Sequence, residues 1–124
     1  MEIVAARTPG KILIKSYGPG QFEIGEDLYF GSILLCGNAI FRLDVANIEE
    51  LSRGLLAEVF DAQPKVDVFL IGWGSHQTRL NEHLGKELET AGIGVDLMNT
   101  GAACRTYNVL VLDEREVAAA LLAL

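Results

Sequence analysis

Residues 66–72 read VDVFLIG, a nearly continuous apolar run that is typical of a β-strand buried on both faces. Leucines recur at helical spacing over about 78–91, and Gly92 occupies the position at which helices commonly end, so a helix should follow the strand. The next apolar run, GVDLM at 94–98, predicts a second, short buried strand. Two strands joined by one helix should be parallel neighbours with a right-handed crossover, which indicates an α/β domain.

The rest of the chain is arranged around this unit. A helix is predicted to begin near Asn99 or Thr100, whereas VAAALLAL at 117–124 fits a helix by composition and a final strand by length. The glycine-punctuated first part predicts antiparallel strands at 11–17, 21–24, 28–36 and 39–45. A capping-box pattern at 47–50 predicts a helix with an apolar stripe at Ile48, Leu51, Leu55 and Val59.

Size and composition narrow the class of protein. The 124 residues are enough for one domain, 1–124, and too few for two. No apolar run approaches the roughly 18 residues needed to cross a bilayer, so no transmembrane segment is predicted. The first residues, MEIVAARTPGK, lack the features of a signal or transit peptide, and a cytoplasmic location is therefore expected.

Charge and cysteine usage exclude further classes. The net charge is −7 and the ten Lys and Arg residues are scattered singly, which disfavours nucleic-acid binding because phosphate contacts need clustered cations. Cys36 and Cys104 lie far apart in a chain without a secretory signal, so both are predicted to be reduced thiols. No Cys or His pair has zinc-ligand spacing, and neither a metal site nor a cofactor is predicted.

The two loops that leave the parallel strands form the candidate site, GWGSHQTR at 72–79 and NTGAACR at 99–105. Ligands of open α/β sheets usually bind at the carboxyl ends of the strands, and a small anion is the ligand class that this edge would suit. Trp73 is expected either over a pocket or at an interface, or else at the edge of the core. The candidate binding residues are Gly72, Trp73, Gly74, Ser75, Arg79, Thr100, Gly101 and Arg105.

Cys104 is the candidate catalytic residue. It falls in the first turn of the predicted helix, where the helix dipole and Arg105 favour a thiolate, and His76 could act as its base if the loops meet. The alternative is structural, because Gly101 and the small residues after it allow a helix to approach a sheet closely. Packing is the favoured interpretation of Cys104, and an exposed loop side chain that of His76.

Four segments together resemble the small domain family of unknown function of the archaeal Mth type, which includes the mitochondrial complex I assembly factor 3. The segments are SYGPGQFEIG at 16–25, LYFGSILL at 28–35, VDVFLIGWG at 66–74 and AGIGVDLMNTGAACRTYNVL at 91–110. TGAACRTYN at 100–108 is the most specific of them. Trp73 departs from the pattern, since the family places a small residue between these two glycines.

The resemblance implies a three-layer α/β fold with a central mixed sheet, a last strand antiparallel to the others and an additional β-hairpin layer at the N-terminal side. It also implies a domain without established enzymatic activity, whose mitochondrial members associate with other respiratory-complex assembly proteins. The favoured function is therefore a non-catalytic binding or assembly-factor-like domain with a protein partner. The alternative is a small-molecule-binding protein or a thiol-dependent enzyme that uses Cys104.

Overall fold

The computed structural model describes residues 3–5 and 12–124, so the first residue of the predicted 11–17 strand lies outside the described residues. Within these ranges the strands are β1 Ile3–Ala5, β2 Ile14–Gly18, β3 Gln21–Ile24, β4 Asp27–Phe30, β5 Ile33–Cys36, β6 Ala39–Arg42, β7 Val68–Gly72, β8 Gly94–Met98 and β9 Val117–Leu121. The helices are a 3₁₀ helix Ile48–Glu50, α1 Ala57–Phe60, α2 Glu82–Thr90 and α3 Thr100–Leu112.

The central sheet has the strand order β1-β6-β5-β9-β7-β8 and is mixed. The parallel pair predicted from the two apolar runs is confirmed, because β7 and β8 pair in parallel from Val68 opposite Gly94 to Gly72 opposite Met98. The first five residues of VAAALLAL form strand β9, and the segment is not helical. The expectation that the last strand is antiparallel to the others is wrong in part: β9 is antiparallel to β5 but parallel to β7, since α3 returns the chain across β7.

The two faces of this sheet are covered by different elements, which confirms the three-layer arrangement. Phe69 and Ile71 of β7 belong to one hydrophobic cluster, together with Leu84 and Leu88 of α2. Leu70 belongs to a second cluster on the opposite face, formed with α3 and with the small antiparallel sheet β2-β3-β4. Side chains that alternate along β7 therefore serve both layers, as expected for a strand covered on each side.

Three local predictions are corrected. The predicted strand 28–36 is broken at Gly31, whose φ of 85° turns the chain from β4 in the small sheet to β5 in the central sheet. The capping box is confirmed, but the helix after it is only a 3₁₀ turn, because Leu51 is extended at φ −67° and ψ 140°. Gly54 disfavours helix in the segment that follows, and α1 has only four residues. Strand β8, expected to be buried, is an edge strand with Asp96 exposed.

The small sheet is fastened to α3 through the backbone of β2. Asn108 of α3 accepts a hydrogen bond from the Ile14 amide at 2.8 Å and donates one to the Ile14 carbonyl at 2.7 Å. One side-chain amide thus satisfies both backbone groups of a β2 residue. The contact helps to fix where β2 lies relative to α3.

Replacing Gly72 by alanine should destabilise the fold. A Cβ at this position would lie 2.8 Å from the Thr100 Cα, which is backbone and cannot rotate away. We expect Gly72→Ala to lower the free energy of unfolding by about 1–3 kcal/mol, measured by urea denaturation. Gly18→Ala is the matched control, because Gly18 also ends a strand and its added Cβ would have only ordinary contacts, at 3.8 Å and beyond. Equal stability of the two variants would contradict the prediction.

Replacing Asn108 by alanine should loosen the small sheet from α3. The variant leaves the partly buried amide and carbonyl of Ile14 without their side-chain partner, and we expect a loss of about 1–3 kcal/mol in the free energy of unfolding. Hydrogen exchange of the Ile14 amide should accelerate more than that of β7 amides. Val109→Ala, at the next and exposed helix position, is the control and should change neither quantity appreciably.

Candidate functional site

The two loops predicted to form the site do meet at the end of the central sheet. The Trp73 amide donates to the Met98 carbonyl at 3.0 Å, which joins the start of the first loop to the end of β8. Thr100 is fully buried, and its hydroxyl accepts a hydrogen bond from the Gly74 amide at 2.9 Å. The same hydroxyl donates to the Leu122 carbonyl at 2.7 Å. Thr100 therefore connects the loop after β7, the start of α3 and the chain leaving β9.

The two glycines of GWG provide room for this junction. The Cα of Gly72 lies against Thr100, so that no side chain fits there. Gly74 has φ +77°, and a Cβ on it would lie 3.0 Å from the Ala123 carbonyl oxygen. Because the Gly74 amide is bonded to Thr100, it is directed into the protein rather than towards a ligand. Gly72, Gly74 and Thr100 therefore hold the loop after β7 against the start of α3.

The remaining residues of the first loop are more accessible. Trp73 is half-buried and packs against the hydrophobic cluster on the α2 face. Ser75, His76 and Arg79 are exposed to solvent. Together with Gln77, which is exposed as well, they form the polar rim of the sheet edge and are the part of the loop that a ligand or partner can reach.

Cys104 lies on the other side of this junction. Its side chain is 2% exposed and belongs to the cluster between α3 and the central sheet. Burial raises the pKa of the thiol to about 11, and the positive charge of Arg105 opposes that effect only in part. The expectation that the helix start would favour a thiolate is thus corrected, because removal from water outweighs the nearby positive charge. The thiol is protonated at neutral pH.

A cleft of about 330 Å³ lies beside Cys104 between α3 and β2. Among the described residues, its lining comes from 14–17 and from Cys104, Arg105 and Asn108, and it includes no residue of the 72–79 loop. His76, in that exposed loop, is therefore not part of this cleft. Of the three candidate residues, Cys104 and Arg105 both line the cleft, and His76 does not.

Tyr17 is a member of this region that the sequence motifs alone did not single out. Arg105 donates a hydrogen bond from Nη1 to the Tyr17 hydroxyl at 3.1 Å. A Cβ on Gly101 would overlap the Tyr17 ring, with 2.8 Å to its Cζ, so glycine is needed where the ring crosses α3. A signal is present in the motifs, because Tyr17 belongs to SYGPG and the residues it contacts belong to TGAACRTYN. The two motifs form one joint between α3 and β2.

Neither a metal cluster nor a membrane-spanning helix is found in the part of the chain that the structure describes. In residues 3–5 and 12–124, no group of three or more His, Cys, Asp or Glu side chains is arranged to hold a metal ion. Across the same residues, none of the helices has the length and apolar character needed to span a lipid bilayer.

Comparison with known proteins finds relatives over nearly the whole domain. The chain is 32% identical over 110 residues to the NADH dehydrogenase [ubiquinone] 1 alpha subcomplex assembly factor 3 of Danio rerio. The match covers 89% of this chain and 63% of that protein, so the chain spans less than two thirds of the zebrafish relative. An uncharacterized protein of Rhodobacter capsulatus is 34% identical over 124 residues, covering 96% of this chain and 93% of the relative.

Solved structures show the same fold. The crystal structure of a protein described as an outer membrane protein from Bartonella henselae superposes with a TM-score of 0.83 at 36% identity, covering 93% of this chain and 97% of that one. A crystal structure from Bordetella parapertussis has a TM-score of 0.79 at 29% identity, with coverage of 90% and 95%. A Mth938-like domain from Bordetella pertussis, 23% identical with a TM-score of 0.79 and coverage of 99% and 92%, supports the fold alone.

A family model described as "Protein of unknown function (DUF498/DUF598)" matches residues 14–122. The matched range runs from the first residue of β2 to just beyond β9, and it contains the joint between α3 and β2. The resemblance seen in the sequence motifs is thereby confirmed, and the chain belongs to the DUF498/DUF598 family.

Proposed function

We propose that this domain is a non-catalytic protein-binding module that takes part in the assembly of respiratory complex I. The observation that carries the proposal is the match to assembly factor 3 proteins, which extends over 89% of this chain in the zebrafish relative. A match of that extent includes both sheets and all three α-helices rather than one local motif. Protein partners of the respiratory-complex assembly machinery are the binding partners we propose.

The roles of the motif residues support a binding scaffold over a reactive centre. In TGAACRTYN, Thr100 joins three chain segments, Gly101 makes room for Tyr17, and Asn108 fastens β2. Cys104 is buried with a raised pKa, and buried thiols are poor nucleophiles because the thiolate is the reactive form. The motif residues hold the layers in a fixed arrangement.

The outward side of α3 provides a contact surface. Val109 and Leu112 are 64% and 60% exposed, and Arg105 lies on the same stripe of the helix. Arginine and exposed apolar side chains are frequent in protein interfaces. We propose this α3 stripe as the contact with assembly partners, with the exposed Ser75 and Arg79 as candidate polar contacts.

A second candidate is a small-anion site at the cleft beside Cys104. Arg105 and the Tyr17 hydroxyl stand at its rim, and both can donate hydrogen bonds to an anion. Arg105 is exposed, so an anion bound there would be well solvated and weakly held. A thiol-dependent reaction at the same place has less support, since Cys104 is protonated at neutral pH.

Loss of this chain should reduce the amount of assembled complex I. The test is a gene deletion in a bacterium whose genome encodes both this chain and respiratory complex I, with intact complex measured by native electrophoresis. The wild-type chain and Cys104→Ala should restore assembly, whereas Val109→Glu combined with Leu112→Glu should not, because carboxylates disrupt the α3 stripe. Lys86→Glu, on the exposed side of α2, is the control and should restore assembly.

Two outcomes would count against this proposal. Unchanged complex I in the deletion strain contradicts it, and failure of a folded Cys104→Ala chain to restore assembly favours the thiol enzyme.

The raised pKa of Cys104 gives a test of its burial. The folded pKa of about 11 exceeds the ordinary value of 9.0, so the unfolded thiol ionises first as the pH rises. The contribution to stability is therefore complete below pH 9 and is lost as the pH rises towards 11. Urea denaturation should show a steeper fall in the free energy of unfolding over this range for the wild type than for Cys104→Ala. Burial also raises the pKa of Tyr107, which is present in both proteins and cancels in the difference.

Alkylation provides the independent measurement. In a Cys36→Ala background, iodoacetamide at pH 8 should modify Cys104 only when the protein is unfolded in urea. Modification of the native protein at the rate of a small-molecule thiol would show that Cys104 is accessible and ionisable.

A further inference from the structure

Among the described residues, strand β4 is the edge of the small sheet, and the backbone groups on its outer side have no hydrogen-bond partner. Within residues 3–5 and 12–124, β4 pairs with β3 alone. The Gly31 amide donates to the Gly20 carbonyl at 2.9 Å, so the backbone of Gly31, and by alternation that of Tyr29, is directed towards β3. The amides and carbonyls of Leu28 and Phe30 are therefore directed to the free side.

The side chains of these two residues are also unusually exposed. Leu28 is 50% and Phe30 63% exposed, and both lie on the outer face of the small sheet, opposite the face on which Tyr29 packs. A cleft of about 370 Å³ runs beside β4, lined by Asp27, Leu28, Tyr29, Phe30, Ile33 and Arg42. Exposed apolar edge strands are normally protected by charge, proline or a covering element, and Leu28 and Phe30 are neither charged nor proline.

The cleft has opposite charges at its two ends. Asp27 begins β4, and it lies on the inward side because its partner in the β3–β4 ladder is the buried Ile24. Arg42 lies opposite Ile33 in the β5–β6 ladder, beyond the Phe30 end of β4 and on the sheet face that the small sheet covers. For the residues that the structure describes, neither side chain has an ion pair or hydrogen bond.

We propose that two copies of this chain associate through β4, antiparallel about a two-fold axis at Tyr29. Each three-stranded sheet would continue into that of the other copy, so that six strands form one antiparallel sheet. With Tyr29 opposite Tyr29, Leu28 of each copy lies opposite Phe30 of the other, and both are on the outer face. The free amides and carbonyls of Leu28 and Phe30 then bond across the axis.

The charges fit the same register. Asp27 of one copy lies opposite position 31 of the other, which is next to the Arg42 end of that copy's cleft. Because both side chains lie on the inward side of the small sheet, each two-fold contact contains two reciprocal Asp27–Arg42 pairs. A register shifted by one residue would place Leu28 opposite Tyr29, whose side chain is on the other face. The apolar pair, the backbone bonds and the charge pair therefore all select the same partner, a second copy.

The first test is the mass in solution by sedimentation equilibrium from micromolar to millimolar protein. We expect association to twice the monomer mass of 13.4 kDa. Phe30→Lys should give a monomer, and Val109→Lys, which changes an equally exposed apolar residue on α3, should still form the dimer. Asp27→Arg and Arg42→Asp should each weaken association, and the double variant should restore it.

Cross-linking tests the register itself. A hydrogen-bonded antiparallel pair has Cα atoms about 5.5 Å apart, within the range of a disulfide. An oxidised mixture of Leu28→Cys and Phe30→Cys chains should therefore give the mixed dimer, and neither variant alone should cross-link efficiently. A monomer at all concentrations overturns the proposal, as does a dimer that Phe30→Lys leaves intact. Capture of an unrelated protein through β4 by a monomeric chain also overturns it.

Discussion

The buried hydroxyl of Thr100 is the interaction on which the arrangement of this fold depends. It bonds to the Gly74 amide and to the Leu122 carbonyl, and it thereby holds the ends of β7 and β9 to the first residue of α3. A hydroxyl can donate and accept at once, which an apolar side chain of the same shape cannot do. The small sheet is fastened to α3 rather than to the central sheet alone, so its place also follows from this junction.

Much of the central unit could be predicted because its signals are local. The apolar run at 66–72, the helical spacing before Gly92 and the Asn99 cap each depend on residues close in sequence. The break at Gly31 could not be predicted from an apolar pattern that continues through it. The direction of β9 relative to β7 depends on where α3 crosses the sheet. The apolar pattern within residues 117–124 does not show where that crossing occurs.

The candidate site shows the same division. Sequence reasoning located both loops at one end of the sheet, because the carboxyl ends of parallel strands coincide, and the Trp73–Met98 contact agrees. It could not show that the Gly74 amide is already bonded to Thr100 or that β2 covers the thiol side of α3. Both facts depend on packing between segments far apart in the chain. Cys104 has the residue type of a reactive thiol, but it is the fifth residue of α3 and has the burial of a core residue.

The Asn108 contact has a consequence for how sequences of this fold can diverge. Asn108 recognises the main chain of position 14 and makes no demand on the side chain there. Substitutions in β2 can therefore accumulate without disturbing the two bonds, provided that the strand remains extended. Within β2 the contact with α3 therefore constrains some positions through their side chains, as at Tyr17, and position 14 through its main chain, so the pattern of tolerated substitutions should differ between neighbouring residues of one strand.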